Sequence, residues 1–454
     1  MIKTTDRRKI PGLFFFTIIV VTFYIFLVQL TAVVPAEMRV SVGERVDLNN
    51  LFPSCISTRL TALVFEEEGV LKWQDGCKEK FSLQQGQNPL AVIPGDVKLD
   101  LRLFGLIPFK KVTLQVVPPI SVMAGGHSIG VLMNSEGVLA VGCSDIILEN
   151  GKKSCPARDV GISPGTAILN VEGRKVHSDT HLSFLIDHFA REKDTIHLDV
   201  IYKGKKRKIK IKPQFCSETG RYRIGLLVQD GASGVGTLTF YDPQTKKYGA
   251  LGHLITNSEG NKSREFKDGR IVPASVQRIH KGEEGKIGEK VGYFAGKGAT
   301  GKINKNTQVG IFGKLEHNLS NPIFPEPIPV AMGHQIKEGP ATILTVLNNH
   351  SIEAFQISIQ NVFSRPRSDG KAFVIKVTDI ELIRRTGGIV QGMSGSPIIQ
   401  DGKLVGAVTH VLVNDPTRGY GVLSEMMLEE AGLLPEQKRG NITGYYGAVS
   451  ENST

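Results

Sequence analysis

Beyond about residue 37 the chain is cut by glycine and proline into short runs. These runs alternate apolar with polar residues or are rich in β-branched side chains, and that punctuation limits the chain to a mainly β fold. Runs at 38–48, 60–65, 91–93, 97–103 and 110–117 come first, and a longer series follows between 223 and 423. Alternation reads as half-buried strands, with Gly and Pro marking the turns between them. The 50 glycines and 22 prolines fit that reading, and 454 residues ask for two or three domains.

The N-terminus is different. Residues 13–34 carry no charge and are mostly Phe, Ile, Val and Leu, behind Lys3, Arg7, Arg8 and Lys9. A run of this length can cross a bilayer as a helix, and its positive flank should stay in the cytoplasm with the rest of the chain outside. Residues 1–36 are therefore expected to be a basic flank and a transmembrane anchor. A cleavage region at 32–36 is the other reading, but Pro35 sits badly in such a site, which favours an uncleaved anchor.

The formal net charge of +11 is partly local, since seven of residues 203–212 are Lys or Arg. Ile209 and Ile211 alternate with lysines there, as on a solvated strand face; attraction to an anionic bilayer is the sharper reading. No aromatic residues are interleaved, which argues against nucleic acid as a partner. Of the five cysteines, Cys55 with Cys77 and Cys143 with Cys155 are spaced as hairpin-scale pairs in an exported, disulfide-permissive compartment. There is no CxxC and no Cys/His cluster at metal spacing, so neither a metal site nor a cofactor is expected.

Four units follow the anchor. Residues 37–118 read as a small β domain whose role is not legible. Residues 119–215 begin with a glycine turn, Gly125-Gly126-His127, running into Ser128-Ile129-Gly130-Val131. They continue through a Gly-Ile-Ser-Pro-Gly turn at 161–165 and an apolar strand. Ser178 or Asp179 can then cap a helix to about Arg191, on which Leu182, Leu185, Ile186 and Phe189 share one face. Residues 221–440 hold many short strands, enough for two barrels, and 441–454 are a tail.

The order of elements in 119–213 resembles a PDZ domain. That resemblance implies that the loop Ser128, Ile129, Gly130 and Val131 offers backbone N–H groups to a peptide carboxylate, the peptide adding as a strand beside the helix. The alternative is that the groove packs only against the chain's own segments.

The chemistry centres on Gly392-Met393-Ser394-Gly395-Ser396-Pro397. An acyl-transfer nucleophile must project from a tight turn. Flanking glycines permit that turn and clear room for substrate, and the N–H groups of Gly392 and Ser394 can converge on the developing oxyanion. The Asp401-Gly402 hairpin that follows, between apolar strands, makes the stretch look like the nucleophile loop of a trypsin-like peptidase. His253, in a glycine-bracketed loop, is the leading base, with His410 as runner-up. Asp379 lies 15 residues before Ser394 and is the leading third member, with Asp242 and Asp230 as alternatives.

The anchor, the PDZ-like unit, the 234–243 and 249–253 segments and the 388–397 segment together resemble the SpoIVB peptidase family of endospore-forming bacteria. The resemblance implies His253 as base, Ser394 as nucleophile and Asp379 as orienting acid. It also implies a membrane-tethered endopeptidase in the space between forespore and mother cell, with self-cleavage near the N-terminus. Its expected substrate is a regulatory subunit bound to a membrane-embedded metalloprotease, whose release starts processing of the sigma-K precursor; a secreted inhibitor is a further expected partner. Two rival readings are an HtrA-type quality-control protease, in which PDZ follows the protease, and a PDZ adaptor with a dead peptidase fold.

Overall fold

The computed structural model describes residues 34–48, 52, 59–66, 69–73, 80–83, 88–134, 137–202, 205–229, 232–255, 268–294, 300–363 and 365–435, with a few positions between 14 and 25. Cys55, Cys77, Asp230 and the 441–454 tail thus lie outside the described residues, as does rather more than half of the 13–34 run. Among the described residues no helix is long and apolar enough to cross a membrane.

The N-terminal unit is a five-stranded sheet. Glu37–Ser41 pairs in parallel with Ile107–Val117, which is followed across the sheet by Gly95–Leu103, Leu60–Glu66 and Lys80–Ser82. Alternation drives it: Val97, Leu99, Leu101 and Leu103 all turn inward from one strand. Its core also takes Val40, Leu60 and Leu114.

The strand Ser128–Asn134 departs from the sequence expectation. It pairs on one side with Ala232–Tyr241, Gly236 opposite Ile129, and on the other with Asp268–His280, Val272 opposite Gly130. Lys247–Ala250, Gly301–Thr307 and Gly310–Leu315 complete the ring. Lys247–Ala250 returns to pair with Ala232–Tyr241, so six strands close a first barrel. The PDZ-like unit expected at 119–215 therefore shares its first strand with this barrel, and the rest of it is inserted between two neighbouring barrel strands.

The inserted unit keeps a sheet ordered Lys205–Ile211, Ile196–Tyr202, Ala167–Val171, Val138–Cys143 and Leu226–Gln229. Its helix, Asp179–Glu192, starts as expected: the Ser178 hydroxyl accepts from His181 N–H at 3.0 Å. Leu182, Leu185, Ile186 and Phe189 are buried under it. The basic strand is an edge strand with exposed lysines, a charge pattern that discourages further edge pairing. The expected Cys143–Cys155 disulfide is not formed. Both are free thiols; burial pushes the Cys143 thiol up, and a hydrogen bond with Cys155 adds to this.

Residues 339–423 form a second closed barrel of six antiparallel strands: Gly339–Asn348, Ser351–Val362, Phe373–Val377, Pro397–Gln400, Lys403–Leu412 and Asp415–Leu423. Asp401 and Gly402, at φ 51° and 74°, make the tight turn that the Asp-Gly pair announces. The helix Ser424–Glu430 packs on the last two strands. The two barrels meet at the 392–395 loop, which the first-barrel strand Ala232–Tyr241 holds by hydrogen bonds.

Candidate active site

The loop around Ser394 comes from the second barrel but is held by the first. Thr237, in the strand Ala232–Tyr241, donates its backbone N–H to Ser394 O at 2.9 Å and its hydroxyl to Gly392 O at 2.8 Å. Thr239 donates its hydroxyl to Gly395 O at 2.8 Å. Gly395 sits at φ 90°, and a Cβ there would meet Thr237 O at 2.1 Å, so no other residue fits this approach of barrel to barrel.

Among the described residues neither the Gly392 nor the Ser394 backbone N–H donates a hydrogen bond, whereas Met393, Gly395 and Ser396 are all paired through theirs. Two unspent donors flanking one partly exposed hydroxyl are the arrangement an oxyanion requires. The Ser394 hydroxyl itself donates to Thr409 O at 3.1 Å. It must turn about χ1 to present Oγ to a base.

His253 follows the first-barrel strand Lys247–Ala250, beyond Leu251 and Gly252, both at φ 69°. Its ring lies 5.2 Å, centroid to centroid, from that of His410. His410 adjoins the Thr409 carbonyl that holds the serine. The Nδ1 of His253 is 3.0 Å from Leu254 O. A carbonyl only accepts, so Nδ1 carries the proton and Nε2 of the neutral ring presents its lone pair. Burial holds the His253 pKa below its ordinary value, against the opposing bond to Leu254. The ring is therefore neutral and basic at neutral pH.

His410 is pushed down to about 4 by burial, by the neighbouring His253 and by Lys371, with Asp369 opposing. Its Nδ1 lies 2.8 Å from the Thr409 hydroxyl. His410, the alternative base by sequence, thus packs on His253 and follows directly the residue whose carbonyl holds the Ser394 hydroxyl.

Asp379 does not take the orienting role expected of it. It caps the helix Ile380–Thr386, one oxygen accepting from Leu382 N–H at 3.0 Å and the other from Gln356 N–H at 3.2 Å. The position facing Nδ1 of His253 is filled by the Leu254 carbonyl. Asp242 is used in its own turn, accepting from Gln244 and Thr245 N–H. Asp369, beside Lys371 at 2.8 Å and felt electrostatically by His410, is the carboxylate that spacing did not single out.

The PDZ loop also departs from expectation. Ser128, Ile129, Gly130 and Val131 lie in a strand hydrogen-bonded on both edges, so their N–H groups are not offered to a peptide. The face of the helix is met instead by the chain's own segment. Tyr222 N–H donates to Asp187 at 2.9 Å and Arg223 to the Ser183 hydroxyl at 3.1 Å.

Lys290 was also missed. It lies in the strand Glu289–Phe294, its stem packed on Gly392, whose added Cβ would meet it at 3.0–3.2 Å. Its amine donates to the Thr345 hydroxyl at 2.7 Å, and burial lowers its pKa to about 7.

Residues 220–428 match the family model for SpoIVB peptidase S55, and residues 128–212 match that for the PDZ domain. The chain thus carries a SpoIVB-like peptidase region and a PDZ domain, and it is a serine endopeptidase. Among curated proteins none matches it. Among solved structures it is similar to the Rv3671c protease in its inactive form, at 15% identity over 44% of this chain and 84% of that one, with a TM-score of 0.25. The active form of the Rv3671c protease from M. tuberculosis gives 14% identity, 44% and 75% coverage and a TM-score of 0.26. At such scores the likeness adds nothing about the chemistry of this SpoIVB-type site.

Proposed function

We propose that this chain is a membrane-tethered signalling peptidase in which Ser394 is the nucleophile and His253 the base. Nε2 of His253 takes the Ser394 proton as Oγ attacks a peptide carbonyl. The N–H groups of Gly392 and Ser394 stabilise the oxyanion, and the imidazolium then gives its proton to the leaving amine. Water repeats the sequence to release the acyl group. The observation that carries this reading is the pair of undonated N–H groups around Ser394, whose hydroxyl is held by the carbonyl next to His410, with the His253 ring 5.2 Å from that of His410.

The substrate we assign is a regulatory subunit bound to a membrane-embedded metalloprotease, cut between forespore and mother cell to start processing of the sigma-K precursor. Support comes from the family match together with the uncharged 13–34 run, which reads as the tether. A PDZ unit spliced into the catalytic barrel suits control of one or a few cuts better than bulk degradation. The test compares the full chain with Ser394→Ala. The parent should self-cleave, take up a serine-directed phosphonate and cut the regulatory subunit, and the variant should do none of these. A parent that neither labels nor cleaves refutes the catalytic assignment. A parent that labels but leaves the regulatory subunit whole refutes only the substrate.

A further inference from the structure

The five-stranded sheet of the N-terminal unit ends in a hairpin whose tip is exposed among the described residues. Phe104, Leu106 and Ile107 there are 57%, 79% and 53% exposed. Hairpin turns usually carry Asn, Asp and Gly, and an apolar cluster rimmed by charge marks a contact surface. The rim is basic. The Arg59 guanidinium stands 5.7 Å from the centre of the Phe104 ring, and Lys110 and Lys111 follow on the return strand. Arg365, from the second barrel, reinforces the lowering of the Lys110 pKa that burial begins. Asp100, on the outgoing strand, is held by Arg102 at 3.0 Å.

Register says which way this tip points. Glu37–Ser41 runs parallel to Ile107–Val117, Glu37 opposite Thr113 and Ser41 opposite Val117. In a parallel pair, earlier residues lie beside earlier residues, so the chain before Glu37 heads toward Ile107 and the tip. Thr113 N–H donates to Ala36 O at 2.8 Å. Val34 O accepts from Arg365 at 2.8 Å, the same arginine that neighbours Lys110. Upstream of Val34 lies the uncharged run of residues 13–34. The chain at Val34 and the apolar tip therefore lie toward the same end of the sheet.

We propose that the 104–107 tip is a second membrane contact, seated in the interfacial layer of an anionic bilayer. Phe104, Leu106 and Ile107 lie among the acyl chains, and Arg59, Lys110 and Lys111 among the headgroups. Apolar side chains in front of a basic collar are how interfacial anchors hold, and cations near the surface are drawn to anionic lipid. The same collar would repel itself in a tip-to-tip dimer, where each patch meets its own copy. A tether alone leaves the catalytic barrels free to swivel; a second contact fixes their orientation over the membrane. The proposal rests on the reading of 13–34 as a tether.

The test uses the full chain carrying Ser394→Ala, to keep the tether attached, together with Trp73→Phe, which removes the single tryptophan, and Leu106→Trp. It is reconstituted into vesicles of phosphatidylcholine and phosphatidylglycerol, with and without brominated acyl chains. Flotation with the vesicles reports the tether, and the emission of the new indole reports the tip. Expected are flotation and a blue-shifted emission quenched by brominated lipid, more strongly with phosphatidylglycerol than with phosphatidylcholine alone. Flotation with a water-like, unquenched indole overturns the tip contact and leaves the tether standing. Failure to float overturns the tether reading and the proposal with it. A blue shift that rises with protein concentration but is not quenched by brominated lipid assigns the tip to a second copy and overturns the membrane contact. If Trp73→Phe does not fold, the same comparison is made between Leu106→Trp and the parent with Trp73 in place.

Discussion

Lys290 is buried against the loop that carries the nucleophile, and the Thr345 hydroxyl is its hydrogen-bond partner. Burial lowers its pKa from the ordinary 10.5 to about 7. In the unfolded chain the amine binds a proton up to about pH 10.5, and in the fold only up to about 7, so the unfolded state binds more protons between these values. The destabilisation is complete below pH 7 and fades as pH rises through 10.5. Lys290→Met keeps most of the stem and removes the amine. It should raise the melting temperature, by roughly 2–5 kcal/mol of stability at pH 7, with a smaller gain at pH 9.5. An equal gain at both pH values would show that the amine is not the cause. Asp379 calls for the opposite kind of variant. Asn caps a helix about as well as Asp, so Asp379→Asn preserves the start of the helix Ile380–Thr386 while removing the charge. Because Leu254 O already fixes the tautomer of His253, kcat should stay within about tenfold of the parent. A loss on the order of 10^4, as when the acid of a working triad is amidated, would return Asp379 to the catalytic centre.

At the scale of elements, what was legible in the sequence was local. The helix Asp179–Glu192 carries its cap and its apolar face within fifteen residues, and the 392–402 stretch carries a glycine-flanked turn followed by an Asp-Gly hairpin. Each signal is complete without knowing what packs against it. The strand Ser128–Asn134 is the counter-case. Its residues read equally well as the first strand of a PDZ unit, and only pairing with partners about a hundred and more residues away decides that it belongs to a barrel. The same holds within the site. The turn at Ser394 was readable from its own neighbours, and the loop at His253 from its glycines. Asp379 failed because fifteen residues along the chain say nothing of direction, and its fit as an N-cap was the more local signal. Lys290 and Asp369 were invisible because nothing in their neighbourhoods distinguishes them from surface charges. Only the fold buries the one under Gly392 and brings the other to His410.

The whole molecule is joined by charge placed where burial makes it costly. Arg39, in the first strand after the apolar run, is 2% exposed. It reaches Glu425 and Glu429 of the helix Ser424–Glu430 at 3.2 Å each, and also bonds Gln115 and the Pro435 carbonyl. Burial raises the Glu425 carboxyl above its ordinary value, opposed by the Gly333 N–H and by Arg39. The cluster is thus poor at stabilising the fold in the abstract and good at specifying which surfaces meet. It fastens the strand Glu37–Ser41 to the helix Ser424–Glu430 packed on the second barrel, so the N-terminal unit and the peptidase should unfold together. Arg39→Ala strands two carboxylates in a near-dry contact, and breaking a buried pair from one side costs about 3–5 kcal/mol. Calorimetry of the parent should then show the N-terminal unit and the barrels in one transition, and Arg39→Ala should split it, with the N-terminal unit melting first. The triple variant Arg39→Met, Glu425→Gln, Glu429→Gln should recover much of the loss, because the cost lies in the stranded charge and not in the missing bonds. An Arg39→Ala protein that still melts in one unshifted transition would mean that the sheet and the barrels are coupled through other contacts, and the clasp would lose its assigned role.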